Sequence, residues 1–140
     1  MVFGMLAIVI ARYAFDVGSI AAQESILYLH ACVFLIGAAF ALKHDKHVRV
    51  DIFYRNFSPK TKAAVDLAGT LLFLLPMAGF LLIESLPYVQ AAWSVREGSR
   101  EARGLPYVYL LKTLIPVAAG LLGFQALILV LRSGITLWQK

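Results

Sequence analysis

The sequence predicts an all-α integral membrane protein, a four-helix bundle with an interfacial amphipathic helix between spans two and three and a truncated first span. Two observations predict this class. Of the 140 residues, 61% are hydrophobic and only 15% are charged, whereas ordinary soluble domains are about 45–50% apolar and about 25% charged. The apolar residues also gather in four runs, which indicates membrane spans rather than one large core. At this length we expect a single domain, residues 1–140.

The first two predicted spans differ in length. The first covers about residues 1–12, and its eleven residues before Arg12 are MVFGMLAIVIA. A helical span needs about 20 residues, so we expect this span to be truncated at the start of the sequence. The second covers about residues 23–42, with Ser19 as its predicted N-cap and Lys43 ending it.

The third predicted span covers about residues 63–89, in a helix that begins at the sequence SPKTK. Ser58 is a suitable N-cap, and Pro59 suits the first helical position because a proline there leaves no N–H unpaired. Pro76 lies in the middle of the run, where it removes a backbone hydrogen bond. We therefore predict a kink near the middle of the membrane.

The fourth predicted span covers about residues 106–131 and begins at Pro106. Pro116 predicts a second kink. Between spans three and four, residues 93–105 are polar and contain glycine, which is typical of a loop.

Lysine and arginine predict the orientation in the membrane. Arg12, Arg96, Arg100, Arg103 and Lys112 make five basic residues on the side of the 93–105 loop. The other side has eight, which are Lys43, Lys46, Arg49, Arg55, Lys60, Lys62, Arg132 and Lys140. Because basic residues favour the cytoplasmic side, the segment 43–62 is predicted to be cytoplasmic and the 93–105 loop periplasmic.

The stretch LKHDKHVRVDIF suggests a metal site at first sight. His44 and His47 are three residues apart and would share a helix face, with Asp51 one turn further along. Zinc, however, needs three or four ligands on one side. Asp45 would point elsewhere, and three basic residues interleave, which disfavours a divalent cation. We expect no metal.

An amphipathic helix in segment 43–62 explains the same residues better. Val50, Phe53, Tyr54 and Phe57 form a stripe typical of a helix lying on a membrane. Beside it, His47, Asp51 and Arg55 are spaced so that Asp51 can pair with both neighbours. A second, smaller apolar strip, Val48 and Ile52, predicts contact with another protein surface as well as with membrane lipid. The residues that we predict at this partner interface are His47, Val48, Arg49, Asp51, Ile52 and Arg55.

No cofactor is expected. Fourteen residues separate His30 from His44, which on one helix is roughly 21 Å, too far for both to ligate one haem. The sequence also has no nucleophile–base arrangement, no phosphate-binding glycine loop and no nucleic-acid module, so we expect neither an enzyme nor a nucleic-acid partner.

Two charged residues fall inside predicted spans. Glu84 lies in the outer part of span three and Lys112 about two turns into span four. Charges inside membranes usually pair or mark a pathway, so a Glu84–Lys112 ion pair is one hypothesis. The alternative, that each side chain reaches separately to the interface, fits the sequence equally well.

The run from Arg12 to Tyr54, with His-Val-Arg-Val-Asp at 47–51, resembles the second-span region of the small membrane subunit (DctQ type) of tripartite ATP-independent periplasmic (TRAP) transporters. Downstream, Trp93, Glu97, Ser99, Gly104–Pro106 and Pro116 also match that family. The resemblance covers nearly the whole chain.

The resemblance implies a four-helix subunit of the bacterial inner membrane without a catalytic residue. Its implied partners are a large membrane subunit, which carries the substrate and sodium sites, and a periplasmic solute-binding protein. A sodium gradient would drive uptake of an organic acid or similar solute, with the small subunit as a static scaffold. Trp93 and Glu97 lie where the periplasmic partner would approach. A solvated loop nevertheless explains the loop charges Arg96, Glu97, Arg100, Glu101 and Arg103 better than contact with that partner does.

Two alternatives remain open. A membrane anchor of a redox enzyme would also be a small helical bundle, but it requires haem or quinone ligands. A stand-alone small transporter is disfavoured because the spans contain few polar groups. The sequence does not indicate the substrate.

Overall fold

The computed structural model describes residues 1–44 and 57–138, and within these ranges every regular element is helical. Helix α1 spans Val2–Phe15, α2 spans Ile20–Lys43, α3 spans Pro59–Ser94 and α4 spans Val108–Trp138. The predicted all-α class is confirmed. By length and composition α2, α3 and α4 can each cross a membrane, whereas α1 has 14 residues, fewer than the about 20 that a span needs.

Local capping sets where α2 and α3 begin, as predicted. The Ser19 hydroxyl accepts a hydrogen bond from the Ala22 N–H at 3.3 Å, and α2 ends at Lys43. At the start of α3 the Ser58 hydroxyl accepts from the Thr61 N–H at 3.2 Å, with Pro59 in the first turn. Both predicted N-caps are confirmed because the signal is local in sequence.

Helix α3 contains a π-helical turn, Thr70–Leu74, directly before Pro76. The Leu75 N–H bonds to the Thr70 carbonyl, five residues back. Proline has no N–H to donate, and its ring crowds the preceding turn, so the helix widens there. The irregularity lies where the sequence predicts a kink. A further proline, Pro87, also lies inside α3.

The described helices form a row in which α4 lies between α2 and α3. Helix α4 packs against both of them, and the main contacts of α1 are with α2. The closed four-helix bundle stays a prediction. In lipid no hydrophobic effect draws helices together, so the packing follows where small residues allow close approach.

Small side chains form the buried core. Every buried position on α4 is alanine or serine, and the same two residue types fill most of those on α3. On α4 they are Ala118, Ala119, Ala126 and Ser133, and on α3 they are Ala63, Ala78, Ser85 and Ala92, together with Thr70 and Val89. Such positions bring helix backbones close together. Large apolar side chains therefore remain on the outside, where lipid or another protein can cover them.

Candidate functional site

The predicted partner-interface residues of segment 43–62 lie outside the described residues. These are His47, Val48, Arg49, Asp51, Ile52 and Arg55. The amphipathic helix and its contacts therefore stay a prediction. The other predicted interface residues, Trp93 and Glu97, are described, and both lie at the end of the molecule that carries loop 95–107, called here the loop end.

Loop 95–107 is folded back on itself by backbone hydrogen bonds. The Ser99 N–H donates to the Leu105 carbonyl at 3.0 Å, and the Gly104 N–H donates to the Glu101 carbonyl at 3.0 Å. Arg96 and Arg103 adopt left-handed backbone angles, with φ of 47° and 68°. Since few non-glycine residues take such angles, these two positions mark sharp turns that are held by the surrounding contacts.

Glu24 of α2 fastens this loop to the helical row. One carboxylate oxygen accepts a hydrogen bond from the Ser99 hydroxyl, and the other accepts from the Leu105 N–H at 2.6 Å. Ser99 Oγ also accepts from the Glu101 N–H at 3.1 Å. A carboxylate that receives two such bonds is a strong anchor, because bonds to a charged acceptor are about twice as strong as neutral ones.

Gly104 is required where the loop meets Glu24. A Cβ atom at this position would lie 2.8 Å from Glu24 Oε1 and closer still to the side chain of Ser99. Any larger residue would therefore push the hydroxyl and the carboxylate apart. The glycine of the Gly-Leu-Pro run at 104–106 thus serves close approach rather than flexibility.

Lys112 forms an ion pair with Glu97 rather than with Glu84. Its Nζ atom also lies 4.0 Å from the centre of the Tyr88 ring, a cation–π arrangement. The distance of each residue from its helix end explains why Lys112 does not pair with Glu84. Lys112 is four residues from the start of α4, roughly 6 Å, whereas Glu84 is ten residues before the end of α3, roughly 15 Å. Glu84 is exposed.

Trp93 links α3 to α4 beside this pair. Its indole N–H donates to Thr113 Oγ1 at 2.9 Å, and its ring meets the Tyr109 ring edge to face at 4.8 Å. The Thr113 hydroxyl in turn donates to the Tyr109 carbonyl at 2.8 Å. Trp93 and Glu97, expected to meet a partner, thus both make contacts within the chain, although 48% of Trp93 remains exposed.

Together these contacts build a cap, defined here as loop 95–107 with Glu24, Tyr88, Trp93 and Lys112. It joins α2, α3 and α4 at one end. Its outer surface carries the exposed residues Arg100, Glu101 and Arg103. The arrangement can present a fixed polar surface to another protein, and the charged groups beneath that surface are engaged in structural contacts.

Sequence reasoning missed Glu24 and the role of Gly104. Glu24 lies 75 residues before Ser99 and 81 before Leu105, so no local pattern joins them. The available signal was a carboxylate in the first turns of an otherwise apolar span, since such a charge needs a partner. The Tyr28 hydroxyl, one turn further along α2, is buried without a hydrogen-bond partner among the described residues.

The two described histidines contact apolar neighbours. The His30 ring stacks on Phe34, and its Nδ1 lies 3.2 Å from Met1 Sδ. The His44 ring packs on Phe40, whose carbonyl lies 3.0 Å from His44 Nδ1. His30 lies in α2 and His44 is its C-cap, fourteen residues or roughly 21 Å further along the helix.

Comparison with known proteins gives one family. The family described as "Tripartite ATP-independent periplasmic transporters, DctQ component" matches residues 1–134. Curated protein sequences give no significant match. Solved structures give none either.

Proposed function

Because the chain belongs to the DctQ component family of tripartite ATP-independent periplasmic transporters, we propose that it is the scaffold subunit of a sodium-driven uptake system. The family is a transporter component rather than an enzyme family, and the three long apolar helices suit a multi-pass membrane protein. The observation that carries the proposal is the family match over residues 1–134. The proposed substrate class is an organic acid or a similar solute.

The proposed partners are a large membrane subunit and a periplasmic solute-binding protein, with the complex in the bacterial inner membrane. The exposed apolar surface of the helices supports a large membrane partner. Helix α1 has no buried residue, and bulky side chains such as Phe34 and Phe124 are exposed on α2 and α4. A surface of this kind needs either lipid or the apolar face of another protein.

The contacts of the charged residues within the chain support a scaffold role. Within the described residues, the carboxylate of Glu24 and the Lys112–Glu97 pair hold the cap in place. Groups committed to such contacts are poorly suited to bind and release a transported ion. Substrate and sodium would instead pass through the large subunit, which moves against this fixed row of helices.

Reconstitution tests the proposal. Proteoliposomes that contain the large subunit, the solute-binding protein and this chain should accumulate a labelled organic acid when an inward sodium gradient is applied. Omitting this chain should abolish uptake, and so should removing the sodium gradient. Uptake by this chain alone, or uptake of the same size without it, would contradict the scaffold role.

Segment 43–62 is proposed to contact the large subunit through the HVRVD run. Asp51 would hold His47 and Arg55 in place there. Asp51→Ala should then lower the amount of large subunit that copurifies with this chain. Asp45→Ala is the matched control, since the same charge is lost from the same segment on another face. If equal amounts of large subunit copurified with both variants, Asp51 would not have this role.

A further inference from the structure

A cavity lies at the opposite end of the molecule from the cap, between the end of α2, the start of α3 and the end of α4. This end is called here the basic end. The cavity has a volume of about 330 Å³. Three basic side chains line it, one from each helix: Lys43, Lys62 and Arg132. Asp66 is the one acidic residue among the described lining residues, so basic side chains outnumber acidic ones there.

Hydrogen-bonding groups also line this cavity. Ser133 is 5% exposed and lies at the cavity wall, as does the half-buried Gln125. A hydroxyl and an amide can both donate hydrogen bonds to a polar ligand. Because basic side chains outnumber acidic ones in the described lining, the cavity favours an anionic ligand.

The position along the helices identifies the kind of anion. Lys43 is the last residue of α2, and Pro59 at the cavity wall is the first of α3. The ends of membrane-spanning helices lie at the level of the lipid headgroups. Basic pockets between such helices bind anionic headgroups. The apolar side chains of Leu42 and Ile128 lie at the same cavity, where they can contact the first carbons of an acyl chain.

We propose that the cavity formed by Lys43, Lys62, Arg132 and Ser133 binds the phosphate headgroup of an anionic phospholipid. Arg132 supplies a planar set of donors that matches two phosphate oxygens, and the two lysines supply further charge. Ser133 donates its hydroxyl proton to a third oxygen. A bound lipid of this kind would join α2, α3 and α4 at the basic end, as the cap joins them at the other.

Native mass spectrometry of the full chain in neutral detergent micelles tests the site. Phosphatidylglycerol and phosphatidylcholine with identical acyl chains are added separately, and the affinity of each is measured. We expect phosphatidylglycerol to bind more tightly. Since a basic residue contributes about fivefold to the affinity for an anionic headgroup, Arg132→Gln should weaken its binding by about that factor. The control Lys60→Gln removes an exposed lysine of α3 that does not line the cavity, and should leave the affinity unchanged.

Two further variants and a thermal unfolding experiment with phosphate also test the site. Ser133→Ala and Lys43→Gln test the same cavity should Arg132→Gln fail to fold, and each should weaken phosphatidylglycerol binding. Equal binding of the two lipids, or equal weakening by Lys60→Gln and the cavity variants, would overturn the site. Thermal unfolding with inorganic phosphate separates lipid from a free anion. A stabilisation by phosphate equal to that by phosphatidylglycerol, and lost in Arg132→Gln, would overturn the assignment to lipid.

Discussion

Single residues fix the cap, and Glu24 joins parts of the chain that lie 75 and 81 residues apart. Its carboxylate receives the Ser99 hydroxyl and the Leu105 N–H, so loop 95–107 is tied to α2 although it follows α3. Arg96 and Arg103 keep left-handed backbone angles within this loop. Because such angles are unfavourable for arginine, the loop conformation depends on the anchors at its base.

Glu24→Gln should loosen the loop without unfolding the helices. The amide retains one acceptor oxygen but loses the charge and places an NH₂ group where Ser99 or Leu105 now donates, so one of these bonds is lost. We expect severalfold faster hydrogen exchange in peptides covering 95–107, measured by mass spectrometry. Glu84→Gln, at an exposed position of α3, is the matched control. Unchanged exchange in both variants would show that Glu24 does not anchor the loop.

The partner of Lys112 can be tested by double-mutant cycles. Combining Lys112→Met with Glu97→Gln should give a total loss of stability that is smaller than the sum of the single losses, because each change removes the same ion pair. The same cycle with Glu84→Gln should be additive. Unfolding in mixed micelles supplies the stabilities. Coupling of Lys112 to Glu84 and not to Glu97 would favour the Glu84–Lys112 pair instead.

Whether the sequence predicts a contact depends on how far apart its two residues lie along the chain. Ser19 and Ser58 were predicted as caps because each bonds an N–H three residues away. The partners of Glu24 were not predictable, since they lie 75 and 81 residues away. For Lys112 the sequence leaves a pair with Glu84 and a separate reach to the interface equally open. The structure pairs it with Glu97, because the loop brings Glu97 to the same depth as Lys112.

The sequence predicts the helices as elements, whereas it indicates less about how they pack together. Apolar runs and caps locate α2, α3 and α4, and Pro76 predicts the irregularity that the π-helical turn Thr70–Leu74 forms. Their arrangement could not be predicted from apolar content because lipid and protein interior are equally apolar. The informative signal was the spacing of small residues on α4, where Ala119, Ala126 and Ser133 recur every seven positions.

Ala126→Leu should separate the helices of the row. Ala126 is 0% exposed at the packed face of α4, and extra methylene groups in a packed site typically cost about 1–3 kcal/mol. The measurement is the free energy of unfolding in mixed micelles. Ala68→Leu makes the same change at an exposed position of α3 and should be nearly neutral. A neutral Ala126→Leu would mean that α4 is not the central helix of the row.

The molecule is polar at both ends, but the two ends differ in their charged residues. The loop end is closed by the cap, in which charges are paired within the chain. From the sequence, eight lysines and arginines are predicted on the side of the basic end and five on the other side. This asymmetry predicts that the basic end faces the cytoplasm. The cap would then face the periplasm, where Arg100, Glu101 and Arg103 can meet a solute-binding protein.

Cysteine labelling tests this orientation. Cys32 lies half-buried in α2 and is first replaced by serine. Single cysteines then replace Ala102 in loop 95–107 and Lys60 at the basic end, both exposed. A membrane-impermeant maleimide added to intact spheroplasts should label Ala102→Cys, whereas Lys60→Cys should react only after the membrane is permeabilised. Because the three long helices alternate in direction, both sites must exchange accessibility together if the orientation is reversed. Labelling of Lys60→Cys alone in intact spheroplasts would therefore place the cap in the cytoplasm and separate it from any periplasmic partner.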